Sequence, residues 1–269
     1  MATSTVLLTG ASGLLGTWLG RTAPGDVDVV PVVHSTPLLG AVRVDLRDAT
    51  ATRAAVHQVA PQVILHTAYA LDEASIVDAT ANLAATATDV GTSVVLISTD
   101  AVFSGDGRAR AESDEPDPVA DYGRWKVEAE RLVSGGTSGG AVVRLPLIVS
   151  LDPLDHVAAR IVEAASSGET TPWFTDELRQ PARAEDLARA LWQIVALDAP
   201  ARSGTWHLPG PERLSRFQIA QRYVEALDLD PGVASGAMTP PGLTRPRDLH
   251  LSADRARAAI RWDPSPVLA

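Results

Sequence analysis

The chain has 269 residues, of which 45% are apolar and 21% charged, and it carries a formal net charge of −10. This suffices for a core of one large or two smaller domains. The acidic balance disfavours broad contact with nucleic acid or an acidic membrane, and leaves open a small anionic ligand in a locally positive pocket. Cysteine is absent, which excludes disulfides, thiolate metal sites and a cysteine nucleophile. The histidines (His34, His57, His66, His156, His207 and His250) have no metal-ligand spacing, so no metal is expected. No basic leader precedes the apolar run Val6 to Leu8, and no run approaches the ~20 residues of a membrane span. The expectation is a cytoplasmic protein with neither a membrane nor a nucleic-acid partner.

In chain order, strands are predicted at 5–9, 27–34, 42–45, 63–66, 93–98 and 141–145. Helices are predicted between them at 13–21, 48–59, 78–90 and 122–134, the second capped by Asp48. The strands are apolar throughout and do not alternate, as in a parallel sheet covered on both faces. Repeated βαβ units of this size imply an α/β, Rossmann-type doubly wound parallel sheet. After Pro146 the pattern loosens. Helices are predicted at 155–166, 184–197, 215–226 and 253–260, with short strands near Trp173 and at 205–208. Loops are expected at 135–140 and 231–242. The expected domains are a dinucleotide-binding domain at 1–150, to which 181–208 returns, and a smaller interleaved C-terminal substrate lobe at 151–180 and 209–269.

Two motifs carry chemistry. Gly10-Ala-Ser-Gly13-Leu-Leu-Gly16 lies between the first strand and the first helix. There glycines permit a tight turn, close approach of a pyrophosphate and helix-on-strand packing, and the helix N-terminus offers free N–H groups to phosphate. The second strand ends in His34-Ser35-Thr36. The carboxylate that would hold a ribose 2′-hydroxyl and select NAD is missing, and small donors could hold a 2′-phosphate, so NADP is preferred over NAD. Asp45 either meets the adenine or caps the next turn.

The second motif turns on the single lysine among 23 lysine and arginine side chains. Lys126 follows Tyr122 by one helical turn, so both point to one face. A lysine is a compact ammonium with a shiftable pKa, which arginine cannot replace. A free tyrosine, with its pKa near 10, is a poor donor at neutral pH. A cation ~4 Å away in an effective dielectric near 20 favours the phenolate by up to ~4 kcal/mol. Such a pair suits proton transfer to a carbonyl oxygen that gains charge during hydride transfer.

With these motifs the chain resembles the extended short-chain dehydrogenase/reductases. The glycine turn and Tyr122-Gly-Arg-Trp-Lys126 match that superfamily, and Ser98-Thr-Asp-Ala-Val-Phe-Ser-Gly105, Gly204-Thr-Trp-His-Leu-Pro-Gly-Pro-Glu-Arg-Leu-Ser215 and Arg245-Pro-Arg-Asp-Leu-His-Leu251 are similar to segments of its dTDP-4-dehydrorhamnose reductase subgroup. The resemblance implies that Thr99 binds the substrate oxygen and Tyr122 gives it a proton. Lys126 would hold the nicotinamide ribose and Tyr122, and Asn82 would support them. It implies cofactor contacts from Gly10, Ser12, Gly13, Leu14, Leu15, Gly16, His34, Ser35, Thr36, Asp45, Leu46, Thr67, Ala68 and Tyr69, besides Tyr122 and Lys126. Phe103, Arg144, Trp173 and Arg179 are candidates for a nucleotide-sugar pocket, or else packing residues. Arg245 and Arg247 read as anchors of the C-terminal tail.

The chain departs from that pattern in a shortened segment 67–82, in Ala85 and in Trp125. Ala101 follows Asp100 where related dehydratases carry a second acid, so dehydration is not expected. The expected activity is reduction of a nucleotide-linked 4-keto sugar with NADP or NAD, compatible with a homodimer. The alternatives are an epimerase that retains its NAD, and a non-catalytic NADP-binding subunit resembling the β subunit of methionine adenosyltransferase.

Overall fold

The computed structural model describes residues 4–136 and 139–268. In chain order its elements begin with β1 (Ser4–Thr9), α1 (Leu14–Arg21), β2 (Val27–Val33), β3 (Val42–Arg43), α2 (Ala49–Val59), β4 (Val63–His66) and α3 (Ala79–Val90). They continue with β5 (Ser93–Thr99), β6 (Asp106–Arg110), α4 (Asp121–Gly136), β7 (Ala141–Leu145), β8 (Ile148–Val149), α5 (His156–Ser167), β9 (Thr171–Phe174), β10 (Leu178–Arg179) and β11 (Ala182–Arg183). The last are α6 (Ala184–Ala196), α7 (Ala199–Arg202), β12 (Gly204–His207), β13 (Leu214–Ser215), α8 (Arg216–Ala226), β14 (Ala234–Ala237), β15 (Asp248–Leu251) and α9 (Asp254–Ile260). A π-helical turn, Ala74–Asp78, leads into α3.

The chain divides into two units. The first comprises Met1–Thr99, Asp121–Arg144 and Ala188–Trp206; the second comprises Asp100–Ala120, Leu145–Leu187 and His207–Ala269. The second unit thus includes 100–120, which the sequence reading kept in the dinucleotide-binding domain. The strand in that segment, β6, is polar and glycine-bearing, and it forms by pairing in parallel with the distant β15.

In the first unit a seven-stranded sheet runs in the order β12-β7-β5-β4-β1-β2-β3. The pairs β1–β2, β1–β4, β2–β3 and β4–β5 are all parallel. The chain moves one way from β1 to β2 and β3, then returns to the other side for β4 and β5. The carboxyl ends of β1 and β4 therefore form the switch point at which open α/β sheets bind ligands. Strands β4 and β5 are buried at every position because helices cover both faces. Asp48 caps α2 by accepting from the N–H groups of Thr50 and Ala51, as its place before the periodic run predicts.

The second unit carries the four-stranded sheet β13-β10-β15-β6 and the pairs β11–β8 and β14–β9. Its core packs α5 and α8 around Trp173, Ile161 and Tyr223. Asp155 caps α5 and also accepts from the Tyr223 hydroxyl and the Ser150 N–H. Strands β6, β14 and β15 and the two-residue strands β8, β10, β11 and β13 have no counterpart among the elements predicted from sequence. They are too short for a periodic signal, and β14 (Ala-Ser-Gly-Ala) lies in a stretch read as loop. The loop expected at 135–140 falls partly on 137–138, outside the described residues, and α4 itself runs through Gly136.

One buried histidine ties the switch point together. Thr80 donates its hydroxyl proton to the Ile76 carbonyl (2.6 Å), so towards His66 Nε2 (3.2 Å) it can only accept. His66 is therefore protonated at Nε2, and its bare Nδ1 accepts from the Thr9 hydroxyl at 2.7 Å. Thr9 Oγ1 in turn accepts from the N–H groups of Thr67 and Ala68, fixing the chain beyond β4. Burial, with the nearby Lys126 charge, pushes His66 down to about 3. This value lies below that of an unfolded histidine. His66 therefore contributes stability at neutral pH that is lost as pH falls from about 6.5 towards 3. Denaturant titrations should show His66→Gln with a flatter acid limb, by about 1.4 kcal/mol per pH unit between pH ~6 and ~4. Equal slopes in the two proteins would contradict the buried neutral imidazole.

Candidate functional site

The turn after β1 is built from glycines with different duties. Gly10 has φ +69, and a Cβ on it would lie 2.7 Å from Thr67 Oγ1 and 2.8 Å from the Ala68 nitrogen. A Cβ on Gly16 would stand 2.2 Å from the Gly10 carbonyl oxygen, so helix and strand approach too closely for any side chain. Gly13 differs: its Cβ would meet only Gly10 O, at 3.3 Å. Gly13 is also the N-cap of α1 and offers no side-chain cap to the helix N–H groups. Exposed Ser12 and Gly13 thus leave an open turn of uncapped donors, a local arrangement that favours an anionic group. Leu14 is half-buried beside it, and Leu15 packs inward.

Beyond β2, His34, Ser35 and Thr36 are all exposed. Asp45, expected near the adenine, is held by Arg47 through two guanidinium hydrogen bonds (2.9 and 2.8 Å) and one backbone bond (3.0 Å). These bonds hold its carboxyl at about 2. Leu46 lends its carbonyl to Asn82, whose Nδ2 donates to Leu46 O (2.9 Å) and Arg47 O (3.0 Å). Asn82 therefore fastens α3 to the loop before α2. This corrects its expected role beside Tyr122 and Lys126.

Lys126 is 4% exposed, and its Nζ donates to the Ile97 carbonyl at 3.1 Å. Ile97 lies in β5, which ends at the buried Thr99. Burial lowers the ammonium from 10.5 to about 8, against the pull of Glu130. The Tyr69 ring lies 4.8 Å from Nζ and 6.0 Å, centroid to centroid, from the Tyr122 ring. Tyr122 and Trp125 pack against the apolar core beneath α4. The segment after β4 thus delivers Tyr69 to the face carrying Tyr122 and Lys126, while Thr67 and Ala68 stay against Thr9 and Gly10.

Glu130, one turn beyond Lys126, was not singled out from the sequence. It is buried, accepts from Ser98 Oγ, and takes a bidentate pair from Arg144 (3.0 and 2.7 Å). Arg144 is itself 3% exposed. Its expected role in a substrate pocket is replaced by one inside the first unit, where it neutralises Glu130. The spacing Tyr122, Lys126, Glu130 could have flagged the acid, since the three share a helical face.

In the second unit Phe103 is buried between the Arg110 guanidinium (5.0 Å) and the His207 ring (6.0 Å, edge-on), as a core residue and not a pocket wall. Arg179 donates to the carbonyls of Leu178 and Pro246 and to Glu177, binding β10 to the segment before β15. The Arg245 pair with Glu177 and the Arg247 pair with Asp176 agree with an anchoring role for that segment. Trp173 is buried, its indole Nε1 lacks a hydrogen-bond partner, and the guanidinium groups of Arg160 and Arg216 lie 4.8 and 5.6 Å from its ring. Burial, and then the charges of Arg179 and Arg245, lower Arg216 to about 10. Arg160 and Arg216 carried no sequence signal, because the residues around Trp173 come from separate elements.

No helix among the described residues is long and apolar enough to cross a membrane. The chain is 29% identical over 270 residues to methionine adenosyltransferase 2 subunit beta of Bos taurus, covering 93% of this chain and 80% of that protein. Its fold superposes on a hypothetical dTDP-4-dehydrorhamnose reductase from Sulfolobus tokodaii with a TM-score of 0.83, at 26% identity and 96% coverage of both chains. It also superposes on a dTDP-4-dehydrorhamnose reductase from Bacillus anthracis, solved with NADP, with a TM-score of 0.82 at 20% identity, covering 96% of this chain and 92% of that one. The family model described as RmlD substrate binding domain matches residues 4–266. The chain belongs to that family, within the extended short-chain dehydrogenase/reductases.

Proposed function

We propose that the protein is an NADP-preferring reductase of a 4-keto sugar linked to a nucleotide. The observation that carries this reading is the buried Lys126 ammonium, held on β5 two residues before Thr99 and one turn beyond Tyr122. Burying a lone ammonium is costly, and this chain uses its only lysine there.

The uncapped start of α1 and the open side of Gly13 would hold the pyrophosphate, and Lys126 the nicotinamide ribose. When bound, the cofactor supplies the hydride. Thr99 would hold the substrate carbonyl oxygen, and Tyr122 would donate its phenolic proton there as charge develops. Lys126 stabilises the resulting phenolate. Arg160 and Arg216, whose guanidinium groups lie over the Trp173 ring in the second unit, form a cationic pair suited to a nucleotide's phosphates.

A second reading, a cofactor-binding subunit of a methionine adenosyltransferase-type complex, draws support from the bovine relative. Incubation with NADPH and a panel of nucleotide-linked keto sugars separates the readings. The reductase oxidises NADPH in step with product. Absence of turnover together with stable co-purification of a synthetase subunit would favour the second. Nicotinamide retained tightly through purification would favour an epimerase.

Two sets of variants probe the site itself. Gly13→Ala should keep the fold within about 1 kcal/mol and weaken NADPH binding roughly 10-fold or more, because its methyl fills the open cradle. Gly16→Ala should fail to fold stably, since its methyl meets the backbone. Lys126→Met should lose roughly 100-fold or more in kcat yet gain about 1–3 kcal/mol in stability at pH 7, from a buried ammonium removed. The sign follows from a folded value below the unfolded one: wild-type stability rises as pH climbs from about 8 towards 10.5. Over the same range the lysine charge is lost, so kcat should decline above about pH 8. Thermal melts and a pH–rate profile of both proteins check these expectations.

A further inference from the structure

The far end of the cofactor cradle holds a cation that the sequence reading did not single out. β2 and β3 pair in parallel with Val33 opposite Arg43, which places Arg43 beside the exposed His34-Ser35-Thr36 turn. Arg43 Nε donates to the His34 carbonyl at 3.0 Å, so the guanidinium is anchored to that turn by one nitrogen. Among the described residues it has no carboxylate partner, and the stretch from His34 to Val44 contains no Asp or Glu. The nearest acid in sequence, Asp45, is engaged by Arg47 through both carboxylate oxygens. Two arginines therefore flank this strand end in different states: Arg47 is neutralised, and Arg43 keeps its charge and its two terminal nitrogens.

An acid at the end of the second strand of such a fold accepts the ribose 2′-hydroxyl, and an arginine nearby accommodates a 2′-phosphate. A guanidinium tethered by Nε presents two parallel N–H donors, the arrangement that fits a phosphate bidentately. The tether also removes part of the side-chain freedom that binding would otherwise cost. The hydroxyls of Ser35 and Thr36 are exposed on the same turn and add neutral donors.

We propose that Arg43, held on the His34 carbonyl, is the residue that binds the 2′-phosphomonoester of NADP and sets the preference over NAD. The assignment rests on the reading of the glycine turn as a dinucleotide site, and it holds whether the protein turns over a substrate or only binds the coenzyme. Phosphate is the recognised group, so the preference weakens with ionic strength. A tether made through Nε is not available to lysine, so charge alone does not reproduce the site.

Equilibrium titration of the whole protein with NADPH and with NADH, followed by nicotinamide fluorescence, tests this without any substrate. Wild type should bind NADPH roughly 10- to 100-fold more tightly than NADH. Arg43→Gln should lose most of that margin while NADH affinity stays within about two-fold. Arg43→Lys should recover only part of it. Adenosine 2′,5′-bisphosphate should displace NADPH from wild type better than adenosine 5′-monophosphate, and lose that advantage in Arg43→Gln. Equal affinities of wild type for the two coenzymes would overturn the role of Arg43 while leaving the glycine turn intact. So would an Arg43→Gln variant that weakens both coenzymes alike, or neither. Wild type that binds neither coenzyme would overturn the reading of the turn, and this assignment with it. Arg43 is exposed, so its variants should melt with wild type; unchanged thermal midpoints confirm that the titrations compare folded proteins.

Discussion

The hydrogen bond from the Lys126 ammonium to the Ile97 carbonyl is the contact around which the buried polar groups of α4 and β5 are arranged. It fixes α4 against the end of β5 at a chosen register, so Tyr122, one turn earlier on the same face, is fixed with it. One turn later Glu130 makes a second attachment to the same strand through Ser98, and Arg144 of β7 closes the layer by neutralising that carboxylate. An ammonium in an apolar interior loses hydration it cannot fully replace, and its lowered pKa expresses that loss. Glu130 offsets part of it by favouring the charged form. The buried Glu130–Arg144 pair and the buried Lys126 cation thus form one electrostatic unit, in which Arg144 and not the lysine neutralises the carboxylate.

The switch point of the sheet receives an equally specific, uncharged framework. Thr9, His66 and Thr80 come from β1, β4 and α3, and their hydrogen bonds permit one imidazole tautomer. The result is a fixed path for Thr67 and Ala68, against which Gly10 packs too closely for a side chain. Polar groups taken out of water must be paired to be tolerated, and here their pairing fixes the loop that carries Tyr69 towards Lys126. The cradle for a coenzyme therefore rests on a neutral network at one strand end and a charged one at the next.

Similarity alone leaves more than one activity open, because one fold serves many functions. The relatives include a subunit of methionine adenosyltransferase and reductases of a nucleotide-linked sugar. A buried, desolvated lysine one turn from a tyrosine is costly to keep, and the chain places its one lysine there. In the second unit, the guanidinium groups of Arg160 and Arg216 both lie over the Trp173 ring.

The parallel sheet, the glycine turn, the Asp48 cap and the Tyr122–Lys126 pair were legible in the sequence. Each is a local signal, carried by apolar runs, glycine spacing, a capping residue or one helical turn. The short strands β6, β14 and β15 were not legible. Their residues are polar, small or few, and only pairing with a distant partner makes them strands. The duties of Asn82, Phe103, Arg144 and Arg179 also waited for the tertiary structure. An arginine or asparagine reads the same in sequence whether it faces a ligand or a carbonyl across the core, and only the fold supplies the partner. The same holds for Glu130, His66 and Arg43, which acquire their meaning from Ser98 and Arg144, from Thr9 and Thr80, and from the His34 carbonyl. The sequence determined the architecture and the shared face of Tyr122 and Lys126, because periodicity and spacing act within one element. The tertiary structure decided which charges are neutralised and which stay available, because that depends on contacts between elements far apart in the chain.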